Sequence, residues 1–472
     1  MGPGFFISPR PSPFREEELK IFIGNCYSRL DSYTPELEEA LTVAHENYFF
    51  SQKYRSGMWD GKTHFLKIPS LRFPSGLLHM VTQFCDACGT DYQIIDERDR
   101  PDYNIDCDDL SHVLTDITLR PYQEEAVISA LAAERGCLEM ATGSGKTEVA
   151  ATIIKIIGRR TLFLVHTKDL LRQAQGRLEQ RLGVPVGMYG EGIHDTEADV
   201  CVATVQSVDS FLQREEKACK SWLASFEVLF LDECHHTSAR SWHRIGLLTP
   251  AYYRFGLSGT VLRKDNLSNV KMLSVFGGTI YKLSSHDLIG AGYLSEITVK
   301  LINNPERIVG SSWQTVYASG VVNSEIRNGK IAEIVQDEFN HDKRILVLIR
   351  QIEHGKILLD KMDELGLPAV FLSGSDSSGD RAETIKKFMD DERFILISST
   401  IFDEGVDIPA VNVIVVASGG KSEIKAIQRI GRGLRKKADQ TNLTVYDFMD
   451  NSKFLKEHSA KRKSVYRKEK FI

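Results

Sequence analysis

From about residue 113 onward, short runs that are apolar along their whole length alternate with stretches of helical spacing, and this alternation constrains the fold more than any other feature of the chain. RGCLEMA, RTLFLVH, ADVCVATV and FEVLFLDE read as strands, with the helical patterns TEVAATIIKIIG and KDLLRQAQGRLEQRL between them. A strand that is apolar throughout has to be covered on both faces, and the intervening helices supply that cover, so the pattern predicts a parallel sheet. The texture returns after about residue 300 in KRILVLIR, PAVFLSG, FILISST and NVIVVAS, separated by helices such as HGKILLDKMDELG and DRAETIKKFMD. The less regular stretch around Leu283 to Arg327 is expected to hold the connection.

The length of 472 residues, at roughly 150 per domain, leaves room for about three domains. Residues 1–112 mix a helical stretch (PELEEALTVAHENY) with short apolar runs and turn signals such as WDGK and PSG, and end in the acidic segment DERDRPDYNIDCDD. The expected organisation is therefore α/β: a small α+β domain over 1–112, two tandem parallel-sheet domains over 113–295 and 296–450, and a basic tail over 451–472. That tail carries eight Lys/Arg against two Glu and is read as an electrostatic strap on nucleic acid or a solvated end.

A composition of 42% hydrophobic and 26% charged residues excludes collagenous and disordered classes. No run is apolar for long enough to span a bilayer, and the first residues carry Pro and charge in place of a signal sequence, so no membrane role and a cytoplasmic location are expected. Net charge is -5, so any nucleic-acid site must be local. Eight scattered cysteines fit a reducing compartment. Cys85-x-x-Cys88 lacks the second pair of a structural zinc site and is read as buried small side chains.

Met140-Ala-Thr-Gly-Ser-Gly-Lys-Thr147 follows a strand and opens a helix. Backbone N–H groups of Thr142, Gly143, Ser144 and Gly145 would converge on a phosphate, Lys146 would neutralise its oxygens, and the Thr147 hydroxyl would ligate Mg2+. Met140 departs from the usual pattern, in which Gly or Ala opens the loop. Further on, the strand VLFL ends in Asp232-Glu233-Cys234-His235, where Asp232 suits Mg2+ and Glu233 suits orienting and deprotonating a water. His235 and His236 have no second ligand cluster at metal spacing. Gln428-Arg-Ile-Gly-Arg-Gly-Leu-Arg435 taken alone is a solvated basic face; opposite a phosphate loop it becomes a set of arginine fingers.

Leu119-Arg-Pro-Tyr-Gln123, Ala141 to Thr147, Val165-His-Thr-Lys168, Ala203-Thr-Val-Gln-Ser207, Asp232 to His235, Ser258-Gly-Thr260, Ile345 to Ile349, Ser399-Thr400 with Glu404-Gly-Val-Asp-Ile408, and Gln428 to Arg435 resemble, in family order, the motifs of superfamily 2 helicases and translocases. The resemblance implies two RecA-like domains, ATP and Mg2+ as cofactors, Gln123 reading adenine with Arg120 nearby, Asp407 on the ribose with Gly405, and Arg432 and Arg435 as fingers with Gln428 in the catalytic set. It implies nucleic-acid contacts by Thr167, Thr204, Gln206, Ser373 and Thr400, although a threonine just beyond a strand also caps the following helix. Tyr54-Arg-Ser-Gly-Met-Trp-Asp-Gly-Lys62 and Phe73-Pro-Ser-Gly-Leu77 resemble the leading domain of the UvsW branch-migration helicases of tailed bacteriophages. That implies duplex or branched DNA as partner, or RNA in R-loops, held by Arg55 and Lys62 with stacking by Trp59; Trp59 as a core residue is the plain alternative. The implied activity is ATP-driven remodelling of Holliday junctions, forks, D-loops or R-loops, 3' to 5', by a monomer working beside recombination or replication proteins, in the host cytoplasm if phage-encoded. The alternatives are an RNA-directed or XPB-like duplex-translocating ATPase, or a scaffold with a vestigial ATPase. Deleting residues 1–112 is expected to weaken branched-DNA binding more than intrinsic ATP hydrolysis.

Overall fold

The computed structural model describes residues 18–101, 110, 112–141, 143–259, 265–293, 296–373, 376, 378–389, 394–399, 411–420, 442–468 and 471–472. They form two compact units that part after Leu283.

The first unit opens with strands β1 to β6 at Leu19–Ile23, Tyr27–Leu30, Thr42–Ala44, Lys62–His64, Arg72–Pro74 and Tyr92–Asp96. Four of them form a sheet in the order β5-β2-β1-β6, antiparallel except for β1–β6, while β3 and β4 make a two-stranded antiparallel pair. The helix expected over PELEEALTVAHENY is shorter than its pattern. It runs Pro35–Ala40, started by the Thr34 hydroxyl accepting from the Leu37 N–H, and the chain turns into β3 at Thr42. Leu41 and Val43 are buried on either side of that change, so β-branched Thr42 and Val43 take strand geometry against the sheet core. The helix Leu78–Cys88 ends on Gly89 at φ 65°, the left-handed stop that glycine supplies. Cys85 is buried within that core, and burial pushes its thiol up to about 11.

Strands β7 to β14 follow: Arg135–Met140, Thr161–Val165, Gly187–Gly190, Ile193–His194, Val200–Thr204, Val228–Asp232, Tyr253–Ser258 and Thr279–Leu283. They assemble in the order β10-β9-β11-β8-β12-β13-β7-β14, parallel apart from the β10–β9 edge. The four strands expected from continuous apolar runs form its centre, and β8, β11 and most of β12 are buried along their length.

The leading sheet is not a separate body. Its core includes Val270 of the helix Asn266–Phe276, with Leu267 and Leu273 packed against it. Gly76 lies so close to that helix that a Cβ would run into the Leu273 and Ser274 carbonyls. The fully buried Arg254 guanidinium donates to the carbonyls of Val275, Thr249 and Gly246 and to Cys26 Sγ, and Arg135 donates to the carbonyls of Val275 and Asn25.

In the second unit, β15 to β20 are Ile297–Asn304, Ile345–Leu348, Ala369–Leu372, Ile395–Ser398, Val413–Val416 and Leu443–Asp450. They form an all-parallel sheet in the order β15-β20-β19-β16-β18-β17, covered on both faces by two apolar clusters. The basic tail is not a loose end. Leu455–Lys468 is a helix whose Arg462 is fully buried and forms a bidentate pair with Asp447 at 2.8 and 3.0 Å; the Tyr466 hydroxyl donates to the same carboxylate at 2.8 Å, and Phe471 closes the core. A partner charge reached only through the fold turns a polycationic segment into a structural one.

Candidate functional site

The carboxyl edge of the first parallel sheet carries the phosphate loop. Gly143 and Gly145 stand at φ 80° and 82°, where an L-side chain is strained. Gly145 is also wedged against Gln123, whose amide nitrogen a Cβ would strike. The helix Lys146–Ile157 thus begins without a side-chain cap, and its first N–H groups are left for an anion. Met140, the departure from the usual loop, is fully buried and holds Lys146 through its carbonyl, which accepts from Nζ at 3.3 Å. The position needs a backbone oxygen and tolerates a core side chain.

Gln123 is buried at the start of the helix Pro121–Ala133, its Oε1 accepting the Arg120 N–H at 2.9 Å, while the Arg120 guanidinium donates to the Tyr122 hydroxyl at 2.9 Å. This ties the segment before the helix to the phosphate loop. The Gln123 amide nitrogen faces the loop.

Asp232 ends β12 and its Oδ1 accepts the Glu233 N–H at 3.0 Å. Burial first, and the charge of Glu233 second, push the Asp232 carboxyl up to about 6 against the pull of Lys146. Glu233 stands at φ 51°, an uncommon backbone for a side chain with a Cβ, as active-site residues often are. Its Oε2 lies 3.1 Å from His235 Nδ1, and the same nitrogen lies 3.0 Å from the Ser258 hydroxyl. The acid suited to activating water and the serine ending β13 therefore meet at one imidazole nitrogen. Among the described residues no cluster of three His, Cys, Asp or Glu side chains could hold a metal. His236 instead stacks on His166 at 4.4 Å, with Trp242 5.6 Å away. Nothing in linear spacing signals the Glu233–His235–Ser258 chain, since Ser258 arrives from a different strand. Cys234 beside them is fully buried next to Cys137, with Gly256 leaving space for both sulfurs. Its thiol is held well above the ordinary range and is unsuited to nucleophilic work.

The charge balance fits a divalent cation. Two adjacent carboxylates face one ammonium, and one of them is held toward its protonated form, which a bound cation would reverse. One carboxylate and one hydroxyl, Asp232 and Thr147, are few ligands for calcium but suit Mg2+, which keeps waters and takes phosphate oxygens.

The expected nucleic-acid contacts divide. Thr167 caps the helix Lys168–Leu182 by accepting from the Leu170 N–H. Thr204 is buried, accepts from the Ser207 N–H at 3.2 Å and donates to the Ser207 hydroxyl at 2.7 Å. Both are occupied as caps. Gln206 is exposed on the following helix, and Ser373 is buried with its N–H on Asp376. Arg55 and Lys62 are exposed, whereas Trp59 is half-buried, with its indole N–H on the Lys62 carbonyl at 2.8 Å. Thr142, Thr260, Thr400, Gly405, Asp407, Gln428, Arg432 and Arg435 lie outside the described residues.

Two family descriptions match in tandem: type III restriction enzyme, res subunit, over residues 116–263, and helicase conserved C-terminal domain, over 328–437. The ATP-dependent DNA helicase UvsW of Enterobacteria phage T4 is 26% identical over 466 residues, covering 93% of this chain and 89% of its own. The chain is a superfamily 2 helicase resembling UvsW. The DNA 3'-5' translocase XPB2 of Sulfurisphaera tokodaii is 29% identical over 364 residues, 68% of this chain and 79% of its own. In fold, the structure is similar to a fragment of a putative HsdR subunit of a type I restriction enzyme from Vibrio vulnificus, at TM-score 0.53 and 21% identity over 82% of this chain and 72% of that one. The two parallel sheets are accordingly the tandem RecA-like domains of this superfamily, preceded by the small α+β sheet.

Proposed function

We propose that this helicase hydrolyses ATP to translocate 3' to 5' on DNA and remodels branched substrates such as Holliday junctions, forks, D-loops and R-loops. The observation that carries the catalytic part is the gathering of Lys146, Asp232, Glu233, His235 and Ser258 at one sheet edge. Lys146 and the first N–H groups of its helix hold the phosphates, and Thr147 with Asp232 hold Mg2+. The cation, when bound, neutralises charge on the phosphate oxygens. Glu233 orients the attacking water and takes its proton, and His235 fixes the carboxylate. Arg432 and Arg435 are the proposed fingers, and Asp407 and Gln123 the proposed ribose and adenine contacts.

The branched-DNA part is supported by the reach of the likeness to UvsW, which runs through the leading residues as well as the helicase core. We assign 1–112 to substrate binding, 113–295 and 296–450 to the motor, and a monomer as its working form. The likeness to XPB2 favours one rival, translocation on duplex without strand separation. ATP hydrolysis by the full chain at one stated salt concentration, with no nucleic acid, single strand, duplex, four-way junction or RNA, tests the reading. Strongest stimulation by junction or fork, with strand displacement, is the expected result. Stimulation by duplex without displacement supports the rival, and stimulation by RNA alone overturns the DNA assignment.

A further inference from the structure

The chain leaves the β3–β4 pair at Ala44 and returns to it at Lys62, and the intervening residues 45–61 are an organised loop. Its neck is closed by the His45 N–H on the Gly61 carbonyl at 2.9 Å and by His45 Nε2 against the Thr63 hydroxyl at 2.8 Å. Trp59 sits edge-on to His45 at 4.7 Å. Tyr48 fills the space beside Gly61, whose φ of 81° and missing Cβ both admit it, and meets Tyr54 at 4.7 Å. The Arg55 Nε–H donates to the Phe49 carbonyl at 3.1 Å.

This framework holds apolar side chains outward. Phe49 is 50% exposed, Phe50 68% and Met58 79%, with the two phenyl centroids 4.6 Å apart. A single exposed phenylalanine needs no explanation, but a cluster held out by a built loop does. Charge selects the occupant. Lys53, Arg55 and Lys62 are exposed on the same loop and its return strand, against Glu46 and an Asp60 already tied to His64 at 2.7 Å. Aromatic faces beside cations match the two parts of a nucleotide, a base with a π-face and a phosphate with a charge.

We propose that residues 45–61 are a base-stacking prong: Phe49 and Phe50 take unpaired bases where a duplex opens, and Lys53 and Lys62 meet the adjoining phosphates. The inference rests on the helicase reading above and moves the stacking role from Trp59, which supports the loop, to the two phenylalanines. The test compares the full-length wild type, Phe49→Ala/Phe50→Ala and Phe50→Trp on a fork carrying 2-aminopurine in its unpaired arm, on blunt duplex, and in ATP hydrolysis without nucleic acid. For the double alanine variant, fork affinity falls about tenfold or more, the 2-aminopurine signal change is lost, and blunt-duplex affinity and nucleic-acid-free hydrolysis are unchanged. Phe50→Trp keeps fork binding and reports it by quenching of the new indole. Unchanged fork affinity in the double variant, which a docking surface for a protein or a membrane would give, overturns the prong while leaving the helicase assignment standing. So does an equal loss on fork and blunt duplex. A wild type that no nucleic acid binds or stimulates overturns the helicase reading and the prong together.

Discussion

At the residue scale, the site depends on charges that partly offset one another before any ligand arrives. Lys146 is the cation that moderates the Asp232–Glu233 pair. Lys146→Ala removes the phosphate counter-charge, and Glu233→Gln removes the proton acceptor while keeping its shape. Either variant is expected to lower ATP turnover by at least about 10²-fold, with branched-DNA binding still measurable by anisotropy; wild-type turnover in either would sink the assignment. A second residue-scale consequence belongs to the second unit. His354 is fully buried, and its Nε2 pairs with the Asn328 Oδ1 at 2.9 Å, while the Asn328 amide donates to the Val322 carbonyl. Asn328 therefore accepts from the imidazole, which is held neutral. Burial, then the nearby Arg327, lower its pKa to about 3. The unfolded chain takes up a proton as pH falls below about 6.5 while the native state does not, so acid favours unfolding. Between about pH 6.5 and 4 this one group removes about 1.4 kcal/mol of stability per pH unit. The check is thermal unfolding across that range, where His354→Gln should show a shallower slope than wild type; parallel slopes would mean that His354 protonates in the native state.

At the element scale, the strands and helices that the sequence announces are those whose own residues carry the signal. β8, β11 and β12 are apolar along nearly their whole length because both sheet faces are covered, and the phosphate loop announces itself through two glycines that local backbone geometry demands. What stays hidden depends on partners distant in sequence. β15 is an edge strand with a mixed burial pattern, so the test of continuous apolarity misses it although it pairs with β20 over eight residues. The C-terminal helix looks like a solvated basic run because its decisive arginine is neutralised by Asp447 on β20. The Glu233–His235–Ser258 chain is hidden for the same reason. Removing one member of a buried ion pair leaves the other uncompensated, at a cost of about 3–5 kcal/mol. Arg462→Ala is accordingly expected to lower the unfolding temperature of the second unit by several degrees, detectable by calorimetry. An unchanged transition would mean that the helix is dispensable to the sheet.

At the scale of the whole molecule, the leading residues share a core with the first RecA-like sheet, and this changes what truncation can report. If residues 1–112 were an independent module, deleting them would spare ATP hydrolysis, as linear reading expects. The structure argues otherwise. Deletion would expose Val270, Leu267 and Leu273, remove the carbonyl of Asn25 from Arg135, and take Cys26 from the buried Arg254. Uncovering an apolar face is destabilising by several kcal/mol in the usual range, and each guanidinium loses one contact while keeping the Val275 carbonyl. The helix that carries that face, Asn266–Phe276, is the next described element after β13, whose Ser258 meets His235 in the catalytic edge. Loss of the leading sheet should therefore reach the ATP site through one strand and one helix. The expected outcome for the chain starting at residue 113 is a lower unfolding temperature together with loss of nucleic-acid-free ATP hydrolysis, whereas Phe49→Ala/Phe50→Ala leaves both intact. A truncated chain that hydrolyses ATP at the wild-type rate and melts at the wild-type temperature would show that the shared core is incidental, and the two bodies could then be treated as separable.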